Sequence, residues 1–181
     1  MTSSTPFPFE MHAVTPENAQ HTIPETLRLI KALALFERDP DAVVATEDLL
    51  RKAFFGDDKA GGRTYAECVL VYDEGKKPDD PGAKAVAMAV WFYTFSTWTG
   101  RGGLYLEDLF VEEPYRGKGI AKKLFQHLGK ICDERELPRM EWVVINWNQE
   151  AIKVYDKMGS LTMSEWDLRR LEGNALKKLA Q

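Results

Sequence analysis

The sequence has little of what builds cross-linked or metal-bound proteins, with only 2 cysteines and 3 histidines in 181 residues. Cys68 and Cys132 lie far apart with no paired spacing, so we interpret them as reduced core thiols of an intracellular protein. His12, His21 and His127 form no cluster with ligand spacing. The sequence therefore predicts neither a disulfide framework nor a metal site.

Long apolar runs and an excess of basic residues are also missing. The longest apolar run extends from Ala85 to Tyr93, far below the ~20 residues of a membrane-spanning helix. The first ten residues have neither the basic nor the apolar segment of a secretory signal. Lys and Arg number 24 against 28 Asp and Glu, a net charge of −4, which argues against non-specific nucleic-acid binding. We expect a cytoplasmic protein with no nucleic-acid and no membrane partner.

What is present is an ordinary globular composition, 44% hydrophobic and 29% charged. A chain of this length buries a sizeable core without cross-links and suits one domain. We expect a flexible leader over residues 1–8 and a single domain over residues 9–181.

Hydrophobic patterns and turn residues predict the order of the strands. Expected strands cover residues 9–15, 65–72, 85–95, 104–111, 140–146 and 166–171. The last three are separated by helical segments after an antiparallel run, and a strand–helix–strand order demands a parallel pair. The sequence therefore predicts a mixed sheet.

Cap residues predict where the helices begin and end. Thr22 and Glu25 have the spacing of a capping box, with Pro24 in the first turn. A second helix is expected to begin near Thr46 and to end before Gly56. Three more helices are expected over residues 120–135, 148–158 and 174–180. The second of these has an asparagine at its start and a glycine after its end, which are typical cap residues.

The loop RGKGIA at residues 116–121 joins a strand to a helix. Gly117 and Gly119 allow the backbone to approach a ligand closely, and the first-turn N–H groups with the helix dipole suit a phosphate or pyrophosphate. The loop is not a Walker loop, because no Gly-Lys-Ser/Thr follows. It also lacks the third glycine of a dinucleotide fingerprint. It indicates an anion site, with a simple tight connection as the alternative.

Other polar residues are expected near this loop. Helical spacing places one face of the following helix at Asn148, Ala151, Ile152 and Tyr155. Glu107 and Asp108 are strand neighbours, so alternation sends only one of them into a cleft. An anion loop, one carboxylate and a tyrosine are thus candidates for one site.

With these motifs in this order, the sequence resembles the GNAT superfamily of acetyl-coenzyme A-dependent N-acetyltransferases. The pattern is Arg116-x-x-Gly119-x-Ala121, with Asn148 and Tyr155 beyond it. The closer resemblance is to the spermidine/spermine (diamine) N-acetyltransferase group. It is carried by RLIKALALFE at 28–37, YLEDLFV at 105–111, YRGKGIA at 115–121 and WNQEAIKVYDKMG at 147–159. The resemblance implies an α/β (α+β mixed) GNAT fold, a twisted mixed sheet of about six to seven strands with helices on both faces.

The resemblance also implies a role for each matching residue. Tyr155 matches the general acid and Glu107 the carboxylate on the substrate side. The coenzyme would be held by Leu109, Phe110, Val111, Arg116, Gly117, Lys118, Gly119, Ile120, Ala121, Asn148, Gln149, Glu150, Ala151 and Tyr155. The substrate would contact Phe36, Glu37, Glu107, Glu141, Trp142, Val143 and Glu165. A homodimer is implied as well, with Trp166 to Leu171 and the terminal helix as candidate dimer elements.

The chemistry of these residues suits acyl transfer to an amine. An alkyl amine has a pKa of ~10 and must lose a proton before it attacks a thioester, and a carboxylate such as Glu107 can accept that proton. A strand-edge N–H can stabilise the oxyanion, and the Tyr155 hydroxyl can protonate the leaving thiolate. Direct attack in a ternary complex needs no cysteine. We expect acetyl-coenzyme A as co-substrate, no metal, and a small cationic acceptor, either a diamine or polyamine or a thialysine-like amine.

Two departures from the diamine group bear on the acceptor. Phe36 stands where that group has a tyrosine, and Asn146 where it has a glutamate, which puts long polyamines in doubt. The alternatives are acetylation of a protein lysine or N-terminus, and a non-catalytic coenzyme A-binding module. Retention of Glu107, Asn148 and Tyr155 argues against the module. A packing role for Tyr155 and an ion pair for Glu107 are the corresponding structural alternatives.

Overall fold

The computed structural model describes residues 8–57, 59, 61–73 and 75–181. The chain divides into two units, residues 1–143 and 144–181. The leader expected over residues 1–8 lies, except for Pro8, outside the described residues. That residues 9–181 act as one domain remains a prediction.

The first unit is built on a mixed sheet with the strand order β1-β2-β3-β4-β5. The strands are β1 (Glu10–Ala13), β2 (Glu67–Tyr72), β3 (Ala85–Ser96), β4 (Arg101–Val111) and β5 (Met140–Glu141). The first four pair antiparallel, and β4 with β5 pairs parallel. The predicted mixed sheet with one parallel pair is confirmed.

The number of strands is lower than expected, since five occur in the part of the chain that the structure describes. The strand expected over 140–146 is only two residues long, because β5 pairs with β4 solely at Met140 and Glu141 and then has no partner. The strand expected over 166–171 is absent. Its apolar residues Trp166, Leu168 and Leu171 are exposed. The alternation of apolar and polar residues in that segment therefore does not reflect a strand of the sheet.

The α-helices of the described residues are α1 (Ala19–Phe36), α2 (Glu47–Phe55) and α3 (Ile120–Glu134) in the first unit, and α4 (Gln149–Lys157) and α5 (Gly173–Lys178) in the second. The predicted start of α1 is wrong by one turn. The Thr22 hydroxyl donates to Asn18 O at 3.1 Å, one turn back, so Thr22 is a buried residue of the first turn and Pro24 lies inside the helix. The cap of α2 is as predicted, with Thr46 Oγ1 accepting from Leu49 N.

Helices cover both faces of the sheet, as predicted. On one face α3 packs its apolar stripe, which includes Ile120, Leu124 and Leu128, against Leu104 and Leu106 of β4. On the other face α1 and α2 pack against a second cluster, which includes Ile23, Leu29, Phe54, Met88 and Phe110. Cys68 is buried in this second cluster and Cys132 packs against the first, both as free thiols.

A partly buried polar contact fixes α1 relative to the sheet. Arg28 Nη1 donates to Glu112 Oε1 at 2.6 Å, and Arg28 Nε and Nη2 donate to the Glu25 carboxylate at 3.0 and 2.9 Å. The same Glu25 carboxylate accepts the N–H of Ala85 at 2.6 Å. One guanidinium thus joins α1 to the start of β3 and to the residue after β4, which brings the end of α1 to the last part of β4.

Two glycines inside β4 make room for the chain that leads into β5. A Cβ on Gly103 would lie 2.8 Å from Thr94 Oγ1 and 3.2 Å from Arg139 Cγ. A Cβ on Gly102 would lie 3.1 Å from a methyl group of Leu137. These close approaches explain why β4 tolerates glycine, which otherwise weakens a strand.

We therefore expect Gly103→Ala to lower the free energy of unfolding by about 1–3 kcal/mol, as overpacking does. Gly129→Ala is the matched control, because Gly129 lies on the exposed side of α3 with nothing within 4 Å of its Cβ position. That change should raise stability by about 0.5–1 kcal/mol. Denaturant unfolding of the two variants measures both, and equal effects would contradict the steric explanation.

Candidate active site

A β-bulge in β4 changes which residues face the two layers of helices. Trp91 of β3 pairs with Leu106 and Val90 pairs with Asp108, so Glu107 is an extra residue in β4. Leu106 therefore packs with the α3 cluster, whereas Asp108 and Phe110 lie on the α1 face. Extra residues of this kind often re-aim side chains next to active sites.

Asp108 of β4 is a partly buried carboxyl group. Burial raises its pKa to about 6, and the negative charges of Glu107 and Glu37 add to the effect. Burial also raises the pKa of Glu37, at the end of α1. A cation placed among these three carboxyl groups would be stabilised by all of them. Perturbed carboxyl groups of this kind are enriched at functional sites.

Glu107 itself is exposed. Among the described residues it belongs to none of the ion pairs, so the structural alternative considered for it has no support. Its role as proton acceptor remains a prediction. Asp108, which the sequence analysis left aside, is the more buried of the two carboxylates.

The end of α1 also contacts the glycine loop. The Arg116 guanidinium carbon lies 4.8 Å from the centroid of the Phe36 ring and 5.9 Å from that of Phe110. Arg116 Nε donates to Val111 O at 3.0 Å. Five residues named from the sequence, or adjacent to one that was named, thus come together: Phe36, Glu37, Asp108, Phe110 and Arg116.

The glycine loop has the open backbone that an anion site requires. Gly117 and Gly119 have φ of 75° and 84°, and nothing lies within 4 Å of a Cβ built on either. No side chain caps the N-terminus of α3. Tyr115, directly before the loop, donates from Oη to Asp73 Oδ2 at 3.1 Å, and the ammonium of Lys118, between the two glycines, lies 4.8 Å from the Tyr115 ring.

Beyond Tyr105, β4 runs on without β5. The parallel pairing covers only Leu104 and Tyr105, while β4 continues to Val111. The side chains of Leu109, Phe110 and Val111 pack into the two cores, which leaves backbone groups for contacts with a ligand along this part of the strand.

The first turn of α4, in the second unit, is formed as predicted. Asn148 Oδ1 accepts the N–H of Ala151 at 3.2 Å. Gln149 Nε2 donates to Asn146 O at 2.7 Å, and Glu150 pairs with Lys153. Tyr155 is partly buried, and burial raises the pKa of its hydroxyl above the ordinary value. The hydroxyl is therefore protonated at neutral pH.

The remaining residues expected at the substrate have surroundings that do not include a described contact with Asp108. Glu141 pairs with Arg139 at 2.9 Å. Trp142 packs edge-on against Phe125, with ring centroids 5.4 Å apart, on the α3 side of the sheet. Val143 is exposed, and Glu165 is an exposed residue of the second unit. Their contacts with substrate remain predictions.

Among the described residues, no group of three or more His, Cys, Asp or Glu side chains is arranged to hold a metal ion. None of the helices in that part of the chain is both long and apolar enough to cross a membrane.

Comparison with known proteins agrees with the geometry. The model of the acetyltransferase (GNAT) family matches residues 30–160. The chain belongs to this family and has the GNAT fold, and the protein is an N-acetyltransferase. The family uses acetyl-coenzyme A as its co-substrate.

Individual relatives agree with the closer resemblance to the diamine group. The chain is similar to a thialysine N-epsilon-acetyltransferase of Sus scrofa, 32% identical over 85% of this chain and 89% of the relative. It is also similar to an L-ornithine N5-acetyltransferase of Arabidopsis thaliana, 39% identical over 56% of this chain and 45% of the relative. Among solved structures, an integron cassette protein of V. cholerae superposes with a TM-score of 0.73 at 25% identity, covering 96% of this chain and 98% of that one.

Asp108 supplies a pH-dependent prediction. Its raised pKa means that the folded protein holds this proton more tightly than the unfolded chain, where aspartate has a pKa of ~3.9. Stability should therefore fall as the pH rises from about 4 to about 6. Asp108→Asn stays neutral, so at pH 7.5 we expect it to be about 1–3 kcal/mol more stable than the wild type, with the difference vanishing below about pH 4.

Denaturant unfolding at pH 4 and pH 7.5 measures this difference. Asp133→Asn, at an exposed position of α3, is the control for the change of a carboxylate to an amide. An advantage of Asp108→Asn that is equal at both pH values would contradict a buried, charge-repelled carboxyl group.

The glycine loop supplies a second prediction. Acetyl-coenzyme A should bind and raise the melting temperature of the wild type. Gly119→Asn keeps a residue that tolerates positive φ but places a side chain in the space where the ligand must approach. We expect the dissociation constant to rise at least about tenfold, the equivalent of ~1.4 kcal/mol, with little change in the melting temperature of the free protein.

Gly100→Asn is the matched control, because Gly100 has φ of 65° and equally open surroundings in the β3–β4 connection. Calorimetric titration of both variants separates a local block from a general effect of the substitution. Wild-type affinity in Gly119→Asn would show that the coenzyme does not use this loop.

Proposed function

We propose that the protein transfers the acetyl group of acetyl-coenzyme A to the primary amine of a small cationic acceptor, by direct attack in a ternary complex. One observation carries the choice of acceptor: the bulge at Glu107 sets the partly buried Asp108 carboxyl beside Glu37 and Glu107. In the part of the chain that the structure describes, none of these three carboxyl groups belongs to an ion pair. Their negative charge favours a cation over a neutral or anionic acceptor.

The residues of the glycine loop fit the co-substrate. The open positions at Gly117 and Gly119 let phosphate oxygens reach the first-turn N–H groups of α3. Lys118, Lys122 and Lys123 add positive charge around that turn. The backbone of residues 109–111 would hold the pantetheine arm along the unpaired part of β4, and Asn148 to Ala151 would complete the site, as the family resemblance implies. The coenzyme supplies the activated acetyl thioester, and no metal is needed.

The proposed reaction needs two proton transfers, one to a carboxylate and one from the Tyr155 hydroxyl. An amine arrives protonated, and a carboxylate must take its proton. Asp108, with a pKa of about 6, is ionised at pH 7.5 yet more basic than an ordinary aspartate, so we propose it as the acceptor, with Glu107 and Glu37 attracting the cation. The protonated Tyr155 hydroxyl would donate its proton to the departing thiolate.

The acceptor is proposed to be a short diamine or a thialysine-like amine. The relatives named above acetylate the side-chain amine of thialysine and of ornithine, and this supports a side-chain amine as the acceptor here. Asn146 stands where the diamine group has a glutamate, and the missing carboxylate suits a short acceptor better than a long polyamine.

We further propose that residues 9–181 act as one domain and that the protein is a cytoplasmic homodimer. The family model extends across both units, which supports the single domain. Several large apolar side chains between residues 161 and 171 are exposed: Leu161, Met163, Trp166, Leu168 and Leu171. Exposed apolar groups of this size are typical of a surface that another chain covers.

An acetyl-transfer assay with free thiol as the readout tests the function. The panel contains putrescine, spermidine, spermine, thialysine, ornithine and a basic peptide, and we expect turnover with a small amine. Tyr155→Phe should lower kcat by about 10²–10⁴-fold, the usual contribution of a positioned acid, with the coenzyme dissociation constant unchanged. In the wild type, kcat/KM should rise with pH around pH 6, and Asp108→Asn should lose that rise together with most of its activity.

Glu107→Gln is run beside Asp108→Asn to decide which carboxylate accepts the proton. A larger loss of kcat in Glu107→Gln would return that role to Glu107. Preference for the basic peptide would favour a protein acetyltransferase, and coenzyme binding without transfer to any amine would favour a non-catalytic module. A preferred acceptor that is neutral or anionic would contradict the cationic class.

A further inference from the structure

Two adjacent residues at the end of α1, Phe36 and Glu37, lie near two different places, the glycine loop after β4 and Asp108 within β4. The negative charge of Glu37 is near enough to Asp108, the residue after the bulge, to help raise the pKa of its carboxyl group. Phe36 lies instead under the guanidinium of Arg116, with 4.8 Å from ring centroid to Cζ. The first residue of the glycine loop therefore rests on the last residue of α1.

Arg116 is held from several sides. Besides the Phe36 ring, its guanidinium lies 5.9 Å from the Phe110 ring, and its Nε donates to the carbonyl of Val111 at 3.0 Å. A guanidinium within about 6 Å of an aromatic centroid is attracted to the ring face. The planar group can stack and donate hydrogen bonds at the same time, which a lysine cannot do in the same way.

Beyond Arg116, the loop is restrained by the contact of the Lys118 ammonium with the Tyr115 ring, while its glycines have open surroundings. Gly117 and Gly119 both have positive φ and open surroundings, and no side chain caps α3. Glycine is the residue that loses the most conformational freedom on ordering. Contacts that hold Arg116 order the start of the loop before a ligand binds. The loop then loses less conformational freedom when the ligand binds.

We propose that Phe36 is a positioning residue for the coenzyme loop, holding Arg116 and through it the start of residues 116–121 in the conformation that receives the coenzyme. This rests on the proposed function, in which that loop binds acetyl-coenzyme A. It differs from the substrate contact that the resemblance implies for Phe36, because the ring is engaged by Arg116. Glu37, one residue further on, serves the acceptor.

Phe36 variants should thus act on coenzyme binding and not on the chemical step. Phe36→Leu keeps apolar bulk but removes the ring, and we expect the coenzyme dissociation constant to rise about 3- to 30-fold, the range of a cation–π contact. Phe36→Tyr keeps the ring and should restore wild-type affinity. With saturating coenzyme, kcat and the KM of the amine should change less than about twofold, the pattern of a binding effect common to ground and transition states.

The experiment is calorimetric titration of the purified full-length chain with acetyl-coenzyme A, followed by steady-state kinetics. Leu35→Ala is the matched control, since Leu35 is the preceding residue of the same helix and its side chain is 68% exposed. It should bind the coenzyme like the wild type. Arg116→Met and the double variant Phe36→Leu/Arg116→Met complete a double-mutant cycle. If Phe36 acts through Arg116, Phe36→Leu should cause no further loss of coenzyme affinity once Arg116 has been replaced.

Several results would overturn the proposal. These are unchanged coenzyme affinity in Phe36→Leu, additive losses in the double variant, or a rise in the KM of the amine without a change in coenzyme affinity, which would place Phe36 at the acceptor. If Phe36→Leu lowers the melting temperature, Phe36→Tyr and the Arg116→Met arm still decide the outcome. A wild type that binds no coenzyme would instead contradict the proposed function, so the two failures are distinct.

Discussion

The extra residue at Glu107 is the constraint on which the candidate site depends. In a regular strand Leu106 and Asp108 would share a face, and one of them would be misplaced, either an apolar side chain among carboxyl groups or a carboxyl group in the α3 core. The bulge lets Leu106 pack with α3 and turns Asp108 toward α1. It does so at the residues that follow the last paired position of β4 with β5, so the re-aimed carboxyl group and the open strand edge lie next to each other.

The position of α1 gives that carboxyl group its surroundings. Arg28 ties the helix to Glu112 and, with Glu25, to the first residue of β3. With the helix fixed in this way, its last residue, Phe36, contacts Arg116. The next residue, Glu37, lies near enough to Asp108 to affect the pKa of its carboxyl group. A polar contact between α1 and the sheet thereby sets the geometry of both Asp108 and the glycine loop. Burial of the Asp108 carboxyl group, together with the negative charges of Glu107 and Glu37, lowers stability at neutral pH.

Much of the fold was predictable because its signals are local. The strands that became β2, β3 and β4, the Thr46 cap of α2 and the Asn148 cap of α4 all follow from patterns within a few residues. The predictions failed where pairing decided the outcome. The strand over 140–146 shrank to two residues because β4 offers it only two partners, and α1 began a turn early because Asn18, not Thr22, lies at its start.

The sequence by itself determined the family, the order of motifs and the glycine loop, since each is a matter of residue type and spacing along the chain. Only the tertiary structure decided which acidic residue of β4 faces Glu37. Period-2 alternation says that Glu107 and Asp108 point apart, but it has no means of locating an inserted residue, which depends on how β3 pairs with β4. The stacking of Arg116 on Phe36 was equally out of reach, because it joins residues about eighty positions apart, and their approach depends on the packing of α1 against the sheet.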